Sequence, residues 1–234
     1  MRRSRDPRVE ADLPGLRDGR DMSTDADAGA DTDPGADADT STDADAGANG
    51  TVSGPAETHP NAAQNVIAVD ANDDARGLVN RLEAHTGDGV RHRAFTALVF
   101  DPDDRLLLAQ RSPRKRLWDT FWDGTVASHP HEGQTQIEAA RERLDAELGI
   151  APTQYDDLRV TDRFEYKRYY HDEGVEHEVC AVLQLTLDDR TLAPDEREVA
   201  GLAWVPYERL REHPQWYRQL RLCPWFEIAM RRDQ

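Results

Sequence analysis

The length, composition and charge of the chain exclude several classes of protein. It has 234 residues and a formal net charge of -17, with 29 basic residues, 46 acidic residues and two cysteines. Such acidity disfavours binding to nucleic acid or to anionic membranes. There is no apolar run of about 20 residues to span a membrane, no apolar N-terminal segment typical of a secretory signal, and too few cysteines for a disulfide framework. We therefore expect a cytoplasmic protein with one ordinary domain and residues to spare.

The basic residues are unusual in kind. Lys115 and Lys167 are the only lysines, so 27 of the 29 basic residues are arginine. This bias, together with abundant aspartate, is typical of a halophilic protein that works at high ionic strength. An arginine-favouring, GC-rich coding sequence explains it equally well.

Residues 1–70 differ in composition from the rest of the chain. They carry 15 acids and 6 bases, and residues 24–50 are almost wholly Asp, Ala, Gly and Thr, without aromatic or branched aliphatic side chains. Such a segment buries too little apolar surface to offset the entropy of ordering it. We expect residues 1–70 to form a disordered acidic tail, within which Met22 is a second candidate start, and residues 71–234 to form the folded domain.

The first elements of this domain are predicted from periodicity and turn signals. The acids and amides of residues 72–74 precede Leu78 and Leu82, whose four-residue spacing predicts a capped helix ending near His85. Apolar runs at 94–100 and 105–110 are separated by an Asp-Pro-Asp-Asp turn, which predicts a hairpin.

The second half of the domain alternates between strands and helices. Ile137, Ala140, Leu144 and Leu148 form one face of a helix within residues 133–148, which Gly149 ends. Residues 159–170 and 176–187 read as strands around a turn, and residues 206–211 and 216–231 as helices broken or started by prolines. This order predicts an α+β sandwich.

Three histidines and two glutamates are candidate metal ligands. Glu176 and Glu178 are two residues apart on a predicted strand, so their carboxylates point to one face. Mixed imidazole and carboxylate ligands suit a divalent ion such as zinc, manganese or iron. The histidines concerned are His85, His92 and His129. The alternative is a set of exposed loop histidines and a solvated glutamate pair.

Basic and aromatic residues supply further candidates. Arg111, Lys115 and their neighbours form a local positive cluster suited to a phosphate-bearing ligand, or a solvated loop. Arg143 and Glu147 lie one helical turn apart, as a phosphate contact and a magnesium ligand would, or as an ordinary ion pair. Tyr166 is either part of an aromatic core stripe or a functional hydroxyl, and Cys180 fits a small buried thiol.

In combination these motifs resemble a known family. The runs that carry the resemblance are His92-Arg93-Ala94-Phe95, Arg111-Ser112, Trp122 to His129-Pro130, Glu147-Leu148-Gly149 and Glu176-His177-Glu178-Val179-Cys180. Their order and spacing resemble the type 1 isopentenyl diphosphate isomerases of the Nudix superfamily over about residues 75–230. The resemblance implies a Nudix-type α/β/α sandwich with a mixed β-sheet. It also implies interconversion of isopentenyl and dimethylallyl diphosphate in isoprenoid biosynthesis, by proton addition and removal with two divalent metals.

The resemblance also implies roles for single residues. His85, His92, His129, Glu176 and Glu178 match ligands of a buried Mn²⁺ or Zn²⁺, and Glu147 matches a ligand of a Mg²⁺ that bridges to the diphosphate. Glu178 further matches the acid that protonates the double bond, Tyr166 its hydroxyl partner, and Trp225 the aromatic ring that faces the carbocation. The positions that match diphosphate contacts are Arg81, Arg111, Lys115 and Arg143. The expected partner is therefore a small diphosphate substrate bound by a monomer.

One position departs from the family pattern. The family's catalytic cysteine falls just before the His-Pro pair, where this chain has Ala127. Alanine cannot exchange a proton, and the reaction needs both an acid and a base. Thr125, Ser128 or an activated water are candidate substitutes. The alternatives to an isomerase are a Nudix-type diphosphate hydrolase, disfavoured because the hydrolase glutamate signature is reduced to Glu147, and a non-catalytic prenyl diphosphate-binding relic.

Overall fold

Strands dominate the part of the chain that the structure describes. The computed structural model describes residues 64–213, 217 and 219–232. Its strands are β1 (Asn65–Val69), β2 (Ala75–Asn80), β3 (His92–Phe100), β4 (Arg105–Arg111), β5 (Trp122–Asp123), β6 (Val126–Ser128), β7 (Arg159–Tyr170), β8 (Gly174–Thr186) and β9 (Val199–Pro206). Its helices are α1 (Arg81–Ala84), α2 (Gln136–Leu148), α3 (Tyr207–Glu212) and α4 (Pro224–Arg232), with a 3₁₀ turn at Pro152–Gln154.

Strand β3 is the centre of the sheet. It pairs in parallel with β8 along its whole length, from His92 opposite Glu178 to Phe100 opposite Thr186. Strand β7 pairs antiparallel with the other edge of β8. On its remaining side, β3 meets β1, β6 and β4 in turn, each antiparallel, and β4 continues to β5 and β9. The sheet is therefore mixed, as expected.

Helices cover both faces of this sheet. The apolar face of α2 packs on the core formed by alternate residues of β3 and by β8, with Ala140, Leu144 and Leu148 fully buried. On the opposite face, Leu98 of β3 and Phe226 of α4 both lie against Gly124. The predicted α/β/α sandwich is confirmed, and the face that carries α4 is the one that carries the candidate site.

The N-terminal predictions need correction. Residues 65–69, which composition assigned to the tail, form β1, and residues 75–80, which were predicted to be helical, form its antiparallel partner β2. Asp70 explains the turn between them, because its side chain accepts hydrogen bonds from the backbone amides of Asn72 (2.8 Å) and Asp74 (3.1 Å). Only Arg81–Ala84 is helical. The remainder of the expected tail, residues 1–63, lies outside the described residues.

The other predicted elements agree with the structure except near the C-terminus. The strands at 94–100, 105–110, 159–170 and 176–187 are confirmed to within two residues, and the central helix begins after its N-cap Thr135. The hairpin is less extensive than expected, since β3 and β4 pair only at Phe100 and Leu106. Helix α4 begins at Pro224; the predicted start at residue 216 lies outside the described residues, and β5, β6 and β9 were not predicted. None of the described helices has the length and apolar character needed to cross a membrane.

Candidate active site

Three adjacent strands place three polar residues in one row. His92 begins β3, Glu178 lies directly opposite on β8, and Tyr166 lies opposite Glu178 on β7. The hydroxyl of Tyr166 donates a hydrogen bond of 2.6 Å to Oε2 of Glu178, and Nε2 of His92 lies 3.5 Å from Oε1. The pairing register of the sheet thus builds the centre of the site.

The other predicted metal ligands join this row. His85 follows α1 and places Nε2 2.8 Å from Oε2 of Glu176, while His129 follows β6 and places Nε2 2.9 Å from Oε1 of Glu178. Potential ligand atoms of all five residues lie within 4.8 Å of one another. The structure therefore brings together all three histidines and both glutamates that the sequence singled out.

The histidine rings are oriented as metal ligands would be. Nδ1 of His85 lies 2.6 Å from the carbonyl oxygen of Arg81, and Nδ1 of His92 lies 2.7 Å from that of Val90. Each contact fixes the proton on Nδ1 and leaves the Nε2 lone pair facing the cluster, which is the usual arrangement of imidazole ligands. Within the described residues, buried Nε2 of His92 has no hydrogen-bond partner. The five residues thus fit a divalent cation.

Burial and mutual contacts shift the proton affinities of this cluster. Burial opposes ionisation of Glu178, but its interactions with neighbours, led by His92, lower its pKa to about 2. Burial and the adjacent His92 hold the pKa of His129 well below its ordinary value. Burial and the charge of Glu178 raise the pKa of Tyr166 well above 10, so its hydroxyl keeps its proton. A carboxylate, a neutral imidazole and a protonated phenol therefore coexist at neutral pH.

Trp225 links this cluster to a second group of residues. Its ring centre lies 6.3 Å from that of Tyr166, and the guanidinium carbon of Arg111 lies 5.3 Å from the ring centre. The indole nitrogen donates hydrogen bonds of 2.8 and 3.0 Å to the two carboxylate oxygens of Asp123. Helix α4 begins one residue before Trp225, which fixes the ring beside the end of β7.

Two of the predicted diphosphate contacts, Arg111 and Lys115, line a cavity, and Arg143 contacts two of its lining glutamates. Nη2 of Arg143 lies 2.7 Å from Glu147 and 3.0 Å from Glu198, and Lys115 is bonded to the same Glu198. Arg111 is held by the carbonyl oxygens of Leu117 and Trp118, both at 2.9 Å. The cavity is lined by Arg111, Lys115, Asp123, Ala127, Glu147 and Glu198, among others.

Arg81 is the remaining predicted diphosphate contact. Its guanidinium is within electrostatic reach of Glu176, Arg111 and Arg143, and burial lowers its pKa. It thus lies between the histidine cluster and the cationic cavity.

Sequence reasoning missed two acids in this region. Asp123 is only 3% exposed and Glu198 precedes β9, and each contacts a predicted site residue. The signal for Asp123 was an acid directly after a Trp and before the tight Gly-Thr-Val-Ala segment. Glu198 had no signal in the sequence, because β9 was not predicted.

Thr125, one of the groups considered as a substitute at Ala127, can be assessed from its contacts. Ala127 lies on β6 opposite Thr96 and lines the cavity. The hydroxyl of Thr125 donates to the carbonyl oxygen of Leu107 (2.8 Å) and accepts from the amide of Val99 (2.9 Å). That hydroxyl is committed to holding strands together. Cys180 is buried as expected, and burial raises the pKa of its thiol well above 9.

Comparison with known proteins agrees with this arrangement. The sequence profile of the NUDIX domain family matches residues 90–226. The chain is similar to the crystal structure of DR0079 from Deinococcus radiodurans, with a TM-score of 0.58, 20% identity and coverage of 73% of this chain and 100% of that one. At that identity, the likeness concerns the fold alone.

Sequence relatives are considerably closer. The chain is 75% identical over 178 residues to a protein of Haloarcula marismortui named isopentenyl-diphosphate Delta-isomerase, which covers 76% of this chain and 95% of the relative. It is 69% identical over 177 residues to a protein of the same name from Halobacterium salinarum, with 76% and 83% coverage. Isopentenyl-diphosphate Delta-isomerase 1 of Bos taurus is 31% identical, with 71% and 80% coverage.

Proposed function

This chain belongs to the Nudix family and, within it, to the isopentenyl-diphosphate Delta-isomerases, and on that premise we propose that it interconverts isopentenyl diphosphate and dimethylallyl diphosphate. The observation that carries the proposal is the Tyr166–Glu178 hydrogen bond, buried beside both Trp225 and the histidine cluster. This places a proton-bearing pair next to an aromatic ring. An allylic isomerisation through a carbocation needs a proton donor, and an adjacent aromatic face stabilises the cation.

The diphosphate end of the substrate has an evident binding region. Arg111 and Lys115 line the cavity, Arg143 is bonded to its lining residues Glu147 and Glu198, and Arg81 interacts electrostatically with Arg111 and Arg143. Guanidinium groups bind phosphate oxygens in forked geometry. Arg143 and Lys115 are held by Glu147 and Glu198, which keeps their charged ends at the cavity wall. A bound diphosphate would replace some of the contacts that these cations make with Glu147 and Glu198. The cationic side chains would not have to move in from solvent.

Two sets of residues suit divalent cations. His85, His92, His129, Glu176 and Glu178 would hold Mn²⁺ or Zn²⁺, and Glu147 would hold a Mg²⁺ shared with the diphosphate. When bound, such cations neutralise anionic charge and order their ligands. The contacts of the chain itself already orient the imidazoles, as the backbone bonds of His85 and His92 demonstrate.

The five-carbon unit would then lie along Trp225. The Glu178–Tyr166 pair delivers a proton to the terminal carbon of the double bond, and the positive charge that develops lies against the indole. A desolvated cation over an indole face is stabilised by roughly 0.5–2 kcal/mol or more. Exclusion of water by the buried walls of the site protects this cation from hydration.

Deuterium uptake tests the proposed activity. The purified chain is incubated with isopentenyl diphosphate, Mg²⁺ and Mn²⁺ or Zn²⁺ in deuterium oxide with molar KCl, and products are followed by NMR. We expect dimethylallyl diphosphate carrying deuterium in a methyl group, and no product from a Glu178→Gln variant. Release of phosphate would overturn the proposal in favour of a hydrolase. Binding of substrate with neither product nor uptake would favour a non-catalytic prenyl diphosphate-binding protein.

We further propose that the enzyme is a cytoplasmic monomer with a separate acidic tail. All the site residues named above lie between 81 and 225 in one chain, so the site needs no second copy. Sedimentation of the full chain should give a mass near 26.4 kDa. A stable dimer would contradict the proposed state without affecting the proposed chemistry.

A further inference from the structure

The proposed reaction needs a second proton-exchanging group. The reaction adds a proton to one carbon and removes a proton from another. It therefore needs an acid within reach of the first carbon and a base within reach of the second. The Glu178–Tyr166 pair supplies the first group. Ala127, which lines the cavity, has nothing to exchange, and the Thr125 hydroxyl is occupied on both sides by backbone groups.

Asp123 is a buried carboxyl in the same cavity as Ala127. It ends β5, is 3% exposed, and accepts hydrogen bonds from the amide of Gly124 (2.7 Å) and from the indole of Trp225. Its Oδ2 lies 3.8 Å from Nη1 of Arg111, beyond hydrogen-bond distance. Buried carboxyls are rare unless they are paired. Both oxygens of Asp123 accept a hydrogen bond from Trp225, and Arg111 is the cation near it.

Asp123 and the Tyr166 ring of the Glu178–Tyr166 pair both lie beside the indole of Trp225. Asp123 contacts the nitrogen edge of Trp225, whereas the ring of Tyr166, which carries the bond to Glu178, lies against Trp225 at 6.3 Å. A five-carbon unit lying along this indole would therefore have one proton-exchanging group toward the histidine cluster and the other toward the cationic cavity.

We propose that Asp123 is the second catalytic residue of the isomerisation, the group that takes up the proton on the diphosphate side of the substrate. The inference rests on the proposed function. The π electrons of the terminal double bond form a C–H bond with the proton from the Glu178–Tyr166 pair. The carbon between the branch point and the oxygen-bearing carbon loses a proton to Asp123, and the electrons of that C–H bond form the new double bond. Asp123 then loses one proton to water while the Glu178–Tyr166 pair regains one.

The surroundings of Asp123 suit this role. Burial raises the pKa of Asp123, while Arg111 of β4 and the hydrogen bonds from Gly124 and Trp225 oppose the rise. Glu147 of α2, Cys180 of β8 and Cys223 before α4 also interact with this carboxyl. A raised pKa makes the carboxylate a stronger base than an exposed aspartate. General bases work best when their pKa approaches the working pH.

The test compares the native chain with Asp123→Asn. Asparagine keeps a side-chain oxygen to accept from Gly124 and Trp225, so the indole stays in place while the base is lost. We expect kcat to fall at least about 100-fold, with KM and the melting temperature nearly unchanged. Asp162→Asn, which alters a half-buried carboxylate bonded to Arg232 away from the cavity, is the control and should keep activity within twofold.

A double variant provides a rescue that a structural role would not permit. Adding Ala127→Cys to Asp123→Asn places a thiol in the same cavity, and we expect at least a tenfold recovery of kcat. Loss of activity with a raised KM, altered Trp fluorescence and no rescue would overturn the proposal, because Asp123 would then only position Trp225.

Further outcomes separate the inference from its premise. An inactive native chain overturns the proposed isomerase and this inference with it. An active native chain with an Asp123→Asn variant of similar kcat overturns the inference alone. The same holds if Cys223→Ala abolishes turnover while Asp123→Asn does not, because the thiol bonded to Asp123 would then be the group involved.

Discussion

Single atoms decide the chemistry of this site, and the hydroxyl of Tyr166 is the clearest case. It donates to Glu178 at 2.6 Å in a setting where burial keeps it protonated. Removing it by Tyr166→Phe leaves the ring beside Trp225 and the five proposed metal ligands in place. We expect kcat to fall roughly 100-fold or more, with metal content unchanged as measured by elemental analysis.

A matched deletion on the same strand serves as the control. Tyr169 is 58% exposed, and its hydroxyl lies 3.4 Å from Asp88. Tyr169→Phe should leave kcat unchanged. Equal losses in the two variants would assign the effect to β7 as a whole and not to the hydroxyl of Tyr166.

The histidines and glutamates of the site could be predicted from the sequence, whereas Asp123 could not, because its role depends on a contact between distant residues. Histidines are scarce in the chain, so His85 and His92 near predicted element ends stood out, as did two glutamates with strand spacing. Asp123 is one of many aspartates. Its importance arises only when α4 places the indole of Trp225 against it, a contact between residues 102 positions apart. No local pattern encodes such a contact.

At the scale of elements, α2 links the core to the cavity. Its inner face packs on the sheet, and its last two turns carry Arg143 and Glu147 to the cavity wall. Thr135 begins the helix with a capping box, in which its hydroxyl accepts from the amide of Glu138 and the Glu138 carboxylate bonds back to Thr135. The start of the helix is therefore fixed by side chains as well as by packing.

Replacing the cap tests how much it contributes. Thr135→Ala removes one side of the capping box, and we expect the free energy of unfolding to fall by about 1 kcal/mol. Urea denaturation followed by circular dichroism measures the change. Thr135→Ser retains a hydroxyl and should lose much less. Equal losses in the two variants would attribute the effect to the methyl group.

The misassigned segment at 75–80 illustrates where element prediction fails. Leu78 and Leu82 have helical spacing, yet Leu78 lies on β2 opposite Ile67, and Gly77 has a backbone φ of 139°. The pairing partner β1 lies in a stretch whose neighbours are acidic and small. Its Val-Ile-Ala-Val run is typical of a strand, but the composition of the preceding residues assigned it to the acidic tail. By contrast, α2 was predicted well because its apolar spacing, N-cap and terminal Gly149 all agree.

Across the whole molecule, charge is the dominant feature. The chain carries a formal net charge of -17, and salt shortens the screening length from about 10 Å at 0.1 M to about 3 Å at 1 M. We expect the melting temperature to rise between 0.1 and 2 M KCl, because repulsion among carboxylates is relieved. Potassium sulfate at equal ionic strength should give a similar rise if screening is the cause. A flat or falling melting temperature in KCl would contradict this expectation.

The parallel pairing of β3 with β8 also constrains how the protein folds. His92 and Glu178 face each other although they are 86 positions apart in the sequence. Contacts between such distant segments form slowly, because the chain loses the entropy of a long loop before these contacts stabilise it. A nascent chain that ends before β8 lacks both glutamates and the central partner of β3. The proposed metal site and the active site can therefore form only after β8 has been synthesised and has paired with β3.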